Sequence, residues 1–192
     1  MFTGIIEQKS KIINIENGKF TIENHFWDDI KLGQSIAHDW ACMTIESFSE
    51  TSYTFFVMQE SMSKTNYGQK QIWDYFNIER CLKAQDRIDG HFVSWHIDTT
   101  GKISKLETVD DGSLIIWINF NNSFSKLTIE KWSIAINWVS LTIVDKSPWY
   151  ISVSLIPLTQ DWTNLWSVFI GTSVNLEFDM LGKYILNTQN DV

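Results

Sequence analysis

Proline and cysteine are scarce, with two of each in 192 residues. Two thiols, Cys42 and Cys81, cannot build the multi-bridge framework of a small secreted scaffold. Basic residues are also few: 15 Lys and Arg stand against 23 Asp and Glu, a formal net charge of −8. Sequence-independent nucleic-acid binding rests on clustered Lys and Arg, so this balance argues against it. No apolar run reaches the ~18 residues of a membrane-spanning helix. The opening MFTGIIEQKSK has no basic leader followed by a long apolar region, so no secretory signal is expected. His91 and His96 are not spaced as zinc ligands on one helix face, and no further Cys/His cluster suggests a metal. The expectation is a soluble, cytoplasmic chain with no bound metal. Glycine is the oddest deficit: nine Gly are outnumbered by ten Trp.

What is present is enough for a core. Hydrophobic residues make up 44% and charged ones 20%, a balance typical of folded domains rather than disordered chains. The chain also repeats itself. Residues 35–45 read SIAHDWACMTI and residues 133–143 read SIAINWVSLTI, with six identities in eleven at a spacing of 98. A repeat of that length is domain-sized rather than a solenoid unit. It predicts two similar domains, over 1–91 and 92–188. Thr65-Asn66 matches Thr163-Asn164, Asn77 matches Asn175 and Glu79 matches Glu177 at the same offset. At the N-terminus, Thr3-Gly4 is expected to match Thr100-Gly101 at an offset of 97.

Local patterns point to β structure. Residues 11–15 and 19–22 alternate around Asn17-Gly18, a hairpin signal. Residues 53–58 and 75–78 read as further strands, and residues 61–66 as a short helix. Short strands with turn signals every 8 to 12 residues predict an all-β chain of two tandem small closed barrels. Apolar residues at 180, 181, 184 and 185 predict one short C-terminal helix.

Comparing the halves exposes the tryptophans. Trp73 stands opposite Gly171, Trp166 opposite Gly68, and Trp40 opposite Trp138. The last two follow Asp39 and Asn137, where Asp-Gly or Asn-Gly is favoured because the turn needs φ > 0. The pattern predicts that Trp40, Trp73, Trp95, Trp132, Trp138 and Trp166 occupy glycine positions. The codon UGA specifies Trp in some reassigned codes and Gly in others. Trp27, Trp117 and Trp162 are further candidates.

MFTGIIE, the paired S-I-A runs with C-x-T-I and S-L-T-I, NIER, HFVSWHID, SLIP and VNLEFDMLGKY together resemble the alpha-chain type of riboflavin synthase, over nearly the whole chain. With glycine at the anomalous positions the likeness improves. The resemblance implies two lumazine-binding barrels and a C-terminal helix that gathers a homotrimer. It implies a dismutation in which two molecules of 6,7-dimethyl-8-ribityllumazine exchange a four-carbon unit. The products are riboflavin and 5-amino-6-ribitylaminopyrimidinedione. No metal or organic cofactor is implied, because the pteridine stabilises its own carbanion and the protein supplies proximity, orientation and proton handling.

Carried over, the resemblance makes Cys42, His96, Ser140 and Asp179 the catalytic candidates. Cys42 and Ser140 stand at the same place in the two halves, which suits identical substrates in donor and acceptor roles. A thiolate or alcohol there would assist addition at C7 of one lumazine, and His96 would move the C7-methyl proton. Ser35, Thr44, Lys131 and Thr142 would position the substrates. Gly4, Ile5, Ile6, Ala41, Met43, Glu60, Ser61, Met62, Ser63, Lys64 and Thr65 would line the N-terminal pocket. Trp95, Ile97, Trp138, Val139, Ile156, Pro157, Leu158, Thr159, Gln160 and Asp161 would line the other. Leu158 stands where the family often has His or Glu. The competing readings are a non-catalytic lumazine or flavin binder on the same barrels, and a tandem-barrel interaction module.

Overall fold

The computed structural model describes residues 1–27, 29–39, 41–94 and 97–189. Trp40, Trp95 and His96, on which several expectations rest, lie outside the described residues.

Each half closes into a six-stranded antiparallel barrel. The first uses β1 (Gln8–Glu16), β2 (Lys19–Glu23), β3 (Ser35–His38), β4 (Ala41–Phe48), β5 (Ser52–Phe56) and β6 (Tyr75–Arg80), in the cyclic order β1-β2-β5-β4-β3-β6. The second uses β7 (Thr99–Thr108), β8 (Leu114–Asn119), β9 (Ser133–Ile136), β10 (Val139–Lys146), β11 (Tyr150–Leu155) and β12 (Ser173–Phe178), in the matching order β7-β8-β11-β10-β9-β12. Closure pairs the strand edges that an open sheet would expose. Among the described residues three short helices are added: α1 (Gln59–Lys64), α2 (Pro157–Trp162) and α3 (Met180–Gln189). The helix expected at 61–66 thus starts two residues earlier, and a 3₁₀ turn, Asn66–Gln69, follows it. None of the described helices is long and apolar enough to cross a membrane.

The sequence dictates the details. Asn17 and Gly18, at φ 50° and 80°, make the two-residue turn joining β1 to β2. Phe20 and Ile22 of β2 point inward, as strand alternation requires. Bulges bend β1 after Ile12, β4 after Ile45, β7 after Ile103 and β10 after Ile143, at matching places in the two halves. The two barrel interiors are separate apolar clusters.

The repeat does not keep one offset. Strands β3 to β6 map onto β9 to β12 at 98, but the segments entering each barrel map at 91. Thr3 N–H donates to Glu79 Oε1 at 2.7 Å, and Ser94 N–H donates to Glu177 Oε1 at 2.7 Å. Glu7 N–H donates to the Ile78 carbonyl, as Asp98 N–H does to that of Leu176. Phe2 and Val93, equivalent by this offset, bridge each other antiparallel. The expected match of Thr3-Gly4 with Thr100-Gly101 is therefore wrong. Thr100 and Gly101 pair with Asn175 and Val174, as Lys9 and Ser10 pair with Asn77 and Phe76.

Buried asparagines tie the barrels together crosswise. Asn66 N–H donates to Asn175 Oδ1 at 2.9 Å, and Asn164 N–H donates to Asn77 Oδ1 at 2.6 Å. Asn77 Nδ2 donates to the Asn137 carbonyl and Asn175 Nδ2 to that of Asp39. Every one of these side chains is buried, so each bond satisfies a group that water cannot reach.

The tryptophans sort by backbone. Trp27, Trp73 and Trp138 adopt φ of 57°, 81° and 76°, a region that favours glycine. Trp132 and Trp166 do not, so backbone geometry does not require glycine at those two positions.

Candidate functional site

A cleft of about 580 Å³ opens on the N-terminal barrel where β4 meets β5 and α1. Ala41, Cys42, Met43, Thr44 and Glu46 line it from β4, Phe56 and Met58 from the end of β5, and Ser61 from α1. Cys42 is half-buried and pairs with Ala37 of β3. At the equivalent positions the second barrel has Val139, Ser140, Leu141 and Thr142 on β10, then Ile156 and Thr159. Ser140 pairs with Ala135 of β9, so Cys42 and Ser140 hold the same place in the ladder.

Around Ser140 the structure assembles a polar group. Ser140 Oγ lies 2.8 Å from His91 Nδ1. His91 is 9% exposed; burial lowers its imidazole pKa below the usual value, opposed by the nearby Asp179 carboxylate. A neutral imidazole accepts a proton on its free nitrogen, so His91 can polarise the Ser140 hydroxyl. Asp179 is itself held: Oδ2 accepts from Trp132 Nε1 at 2.9 Å and Oδ1 from Leu181 N–H at 2.9 Å. Two of the expected catalytic residues, Ser140 and Asp179, thus gather about a third group, His91, outside the expected catalytic set. Among the described residues no group of three or more His, Cys, Asp and Glu side chains is arranged for a metal.

Other expected residues fall elsewhere. Gly4 lies against the opposite barrel: its carbonyl accepts Ser140 N–H at 2.8 Å, and Ile6 packs on the C-terminal core. Ile5 instead borders a larger hollow of about 740 Å³ with Thr3, Gly33, Gln34, Arg80 and Cys81. Ile97 packs beside the small apolar cluster between the barrels, and the Ser35 carbonyl there accepts the Cys81 thiol. Glu60 is exposed and paired with Lys64 at 2.6 Å. The Thr65 hydroxyl caps the 3₁₀ turn, donating to the Ser61 carbonyl and accepting Tyr67 N–H. The repeat explains the displacement: residues 156–161 correspond to 58–63, not 60–65. Met58 and Phe56 were missed, although subtracting 98 from Ile156 finds the first.

On the second barrel, Leu158 and Pro157 are exposed at the start of α2. Gln160 Nε2 is spent on the Gly112 and Leu155 carbonyls, and the Asp161 carbonyl accepts Lys9 Nζ. Lys131 is exposed, with φ 62°, at the counterpart of Gly33. Trp138 is wholly buried between the barrels, edge-on to Phe2 at 5.1 Å, with its indole N–H on Glu79 Oε2. It does not border an open cleft.

The lumazine binding domain model matches residues 3–81 and again 94–179. The chain is 40% identical to the riboflavin synthase of Actinobacillus pleuropneumoniae, over 96% of this chain and 88% of that protein. It is 32% identical to the riboflavin synthase of Escherichia coli (strain K12), over 98% and 91%. It is 34% identical to that of Bacillus subtilis (strain 168), over 96% and 88%. Among solved structures it is similar to LumP complexed with riboflavin, with a TM-score of 0.85 at 18% identity over 93% of this chain and 99% of that one. LumP complexed with 6,7-dimethyl-8-(1'-D-ribityl) lumazine gives 0.82 at 18% identity, over the same shares.

Proposed function

The chain belongs to the riboflavin synthase family, and from that membership we propose that it converts two molecules of 6,7-dimethyl-8-ribityllumazine into riboflavin and 5-amino-6-ribitylaminopyrimidinedione. The observation that carries this reading is the duplicated ladder position, with a thiol at one copy and a histidine-bonded hydroxyl at the other. Identical substrates have to do different jobs here, one giving up four carbons and the other receiving them. Two clefts of one ancestry but different chemistry suit that division.

The protein contributes three things in this reading. Each barrel holds one pteridine, so the encounter of two substrates becomes an oriented contact. Ser140, polarised by His91, assists addition at C7 of one lumazine, with Asp179 setting the imidazole's charge balance. His96 takes the acidic C7-methyl proton of its partner. A homotrimer would bring clefts of neighbouring chains together; the exposed Leu181, Tyr184 and Ile185 on α3 support such a contact. The two domains run over 1–91 and 92–188, and the protein works in the cytoplasm.

The test is direct. Purified protein is incubated with the dimethylribityllumazine alone, and both products are quantified. Riboflavin and the pyrimidinedione in equal amounts are expected. Tight lumazine binding with no riboflavin would instead identify a binder on the same fold.

A further inference from the structure

Each barrel carries a buried glutamate on its last strand, Glu79 on β6 and Glu177 on β12. Glu79 is 4% exposed, and hydrogen-bond donors hold its carboxylate. Its Oε1 accepts Thr3 N–H at 2.7 Å and the Thr3 hydroxyl at 2.9 Å. Its Oε2 accepts Gly4 N–H at 2.9 Å. A carboxylate takes several short charge-assisted bonds of this kind, and each loses strength if the charge is removed.

What Glu79 grips then grips the other barrel. The Thr3 carbonyl accepts His91 N–H at 3.1 Å, and the Gly4 carbonyl accepts Ser140 N–H at 2.8 Å. Gly4 has φ +76°, and a Cβ there would fall 2.9 Å from Ser140 Cβ and 3.0 Å from Ser140 N. The segment therefore lies flush on β10, which only glycine permits. We infer that Glu79 of the N-terminal barrel is a positioning residue for the Ser140–His91 pair of the C-terminal barrel, acting through Thr3 and Gly4. This rests on the reading of Ser140 as part of the reactive cleft. It extends that reading by making the framework of the N-terminal barrel set the chemistry of the C-terminal one.

The test is a set of double variants read by lumazine turnover. Glu79→Gln keeps the shape and removes the charge. It is expected to lower kcat roughly ten- to hundred-fold, the scale of a small misplacement at a reacting group. Combined with Ser140→Ala it adds little to the loss that Ser140→Ala causes alone. Combined with Cys42→Ala the two losses multiply. Thr3→Val, which removes one donor only, follows the same pattern at smaller amplitude should Glu79→Gln fold poorly. Equal multiplication with both partners, or no change in kcat, would overturn the inference. A wild-type protein that makes no riboflavin would sink the proposed function instead. The positioning is then read by NMR: Glu79→Gln moves the His91 imidazole titration, and an unmoved His91 refutes it.

A different observation supports a second inference. Trp73 N–H donates to the Ile12 carbonyl at 2.9 Å, and Gly171 N–H donates to that of Ile103 at 2.8 Å. Ile12 N–H and Ile103 N–H return bonds to the Asp74 and Thr172 carbonyls. This is one turn built twice, at φ 81° with Trp and φ 96° with Gly. Likewise Asn137-Trp138, at φ 44° and 76°, repeats the turn that Asn17-Gly18 makes at 50° and 80°. The geometry assigns glycine to positions 73 and 138 in the protein made by its own cell, through UGA codons read there as Gly. Peptides spanning both positions, taken from the source organism, are expected to carry the mass of Gly. A Trp mass or UGG codons would overturn it. Independently, Trp73→Gly is expected to raise Tm by several degrees, since about 1–2 kcal/mol of left-handed strain is relieved.

Discussion

The two barrels share strand order, bulges and hairpins, yet they are filled differently. Around Phe20, Phe55 and Phe76 the first packs Tyr53, Tyr67 and a buried imidazole, His38. At the equivalent places the second packs Ile116, Val153, Val174, Ile151, Leu165 and Ile136. The second interior carries none of the hydroxyl and imidazole groups that those six positions bring to the first. The first contains a polar chain: His38 Nδ1 lies 3.0 Å from the Ile36 carbonyl, Nε2 lies 2.8 Å from the Tyr53 hydroxyl, and the Tyr67 hydroxyl donates to the His38 carbonyl. One backbone design therefore tolerates either interior, with the imidazole and phenols of the first bonded to one another or to backbone carbonyls. The same contrast recurs at the seam. Asp39 is paired with Lys70 at 2.6 Å, and their counterparts are Asn137 and Val168. The second barrel lacks both charges, and either half alone would leave a buried ion.

The sharpest way to break this comparison is acid. Burial lowers the His38 pKa from 6.5 to about 3, so the ring is neutral in the fold, whereas an unfolded chain takes up a proton below about 6.5. Its contribution is complete above about 6.5 and is lost as pH falls toward 3, on the order of 5 kcal/mol in all. Asp39 and Glu79, both pushed up by burial, act in the opposite sense, favouring the fold at low pH. A difference measurement separates them. The stability gap between wild type and His38→Gln, from denaturant titrations, is expected to be flat above pH 6.5 and to close steadily below it. A gap independent of pH would mean that His38 takes up its proton at the same pH in the fold as in the unfolded chain. Next in size, Lys70→Val strands Asp39 and is expected to cost about 3–5 kcal/mol. Adding Asp39→Asn copies the second barrel, and most of that loss should return. If the double variant is as unstable as the single one, the seam is not interchangeable.

Much of this architecture was legible in the residues, for a physical reason. Strand alternation and the Asn-Gly turn are local, and the 98-residue repeat survives because β3, β4 and β6 keep both pattern and spacing. The entering segments were not legible. Residues 2–7 and 93–98 share the single identity of Ile6 with Ile97, and what equates them is backbone bonding to Glu79 and Glu177. Backbone donors leave no signature in side-chain identity, so the coincidental Thr-Gly match drew the eye to the wrong offset. The same gap hid the crossing of Gly4 to Ser140. His91 was visible as a residue but not as a neighbour of Ser140, because residues 49 positions apart meet only in three dimensions. The left-handed tryptophans were anticipated because turn chemistry is local; Trp132 was not separable, since the left-handed residue there is Lys131.

The smallest expected effects lie in the clefts, where the contrast is chemical rather than energetic. Ser140 has an imidazole at 2.8 Å, whereas among the described residues Cys42 has no such partner. Ser140→Ala removes the group that His91 polarises, and a drop in kcat of about a hundredfold is expected, the lower end for lost proton-transfer assistance. Cys42→Ser keeps a small nucleophile-sized group in place, so the loss should stay within about tenfold, or ~1.4 kcal/mol of barrier. Neither change empties a core, so Tm should hold in both. Restoring likeness from the other side, with Ser140→Cys, gives a thiol that His91 can deprotonate. That variant should retain turnover and become sensitive to thiol alkylation at a second site. If Cys42→Ser proves the more damaging of the pair, the thiol cleft does the harder chemistry, and the roles given to the two barrels are reversed.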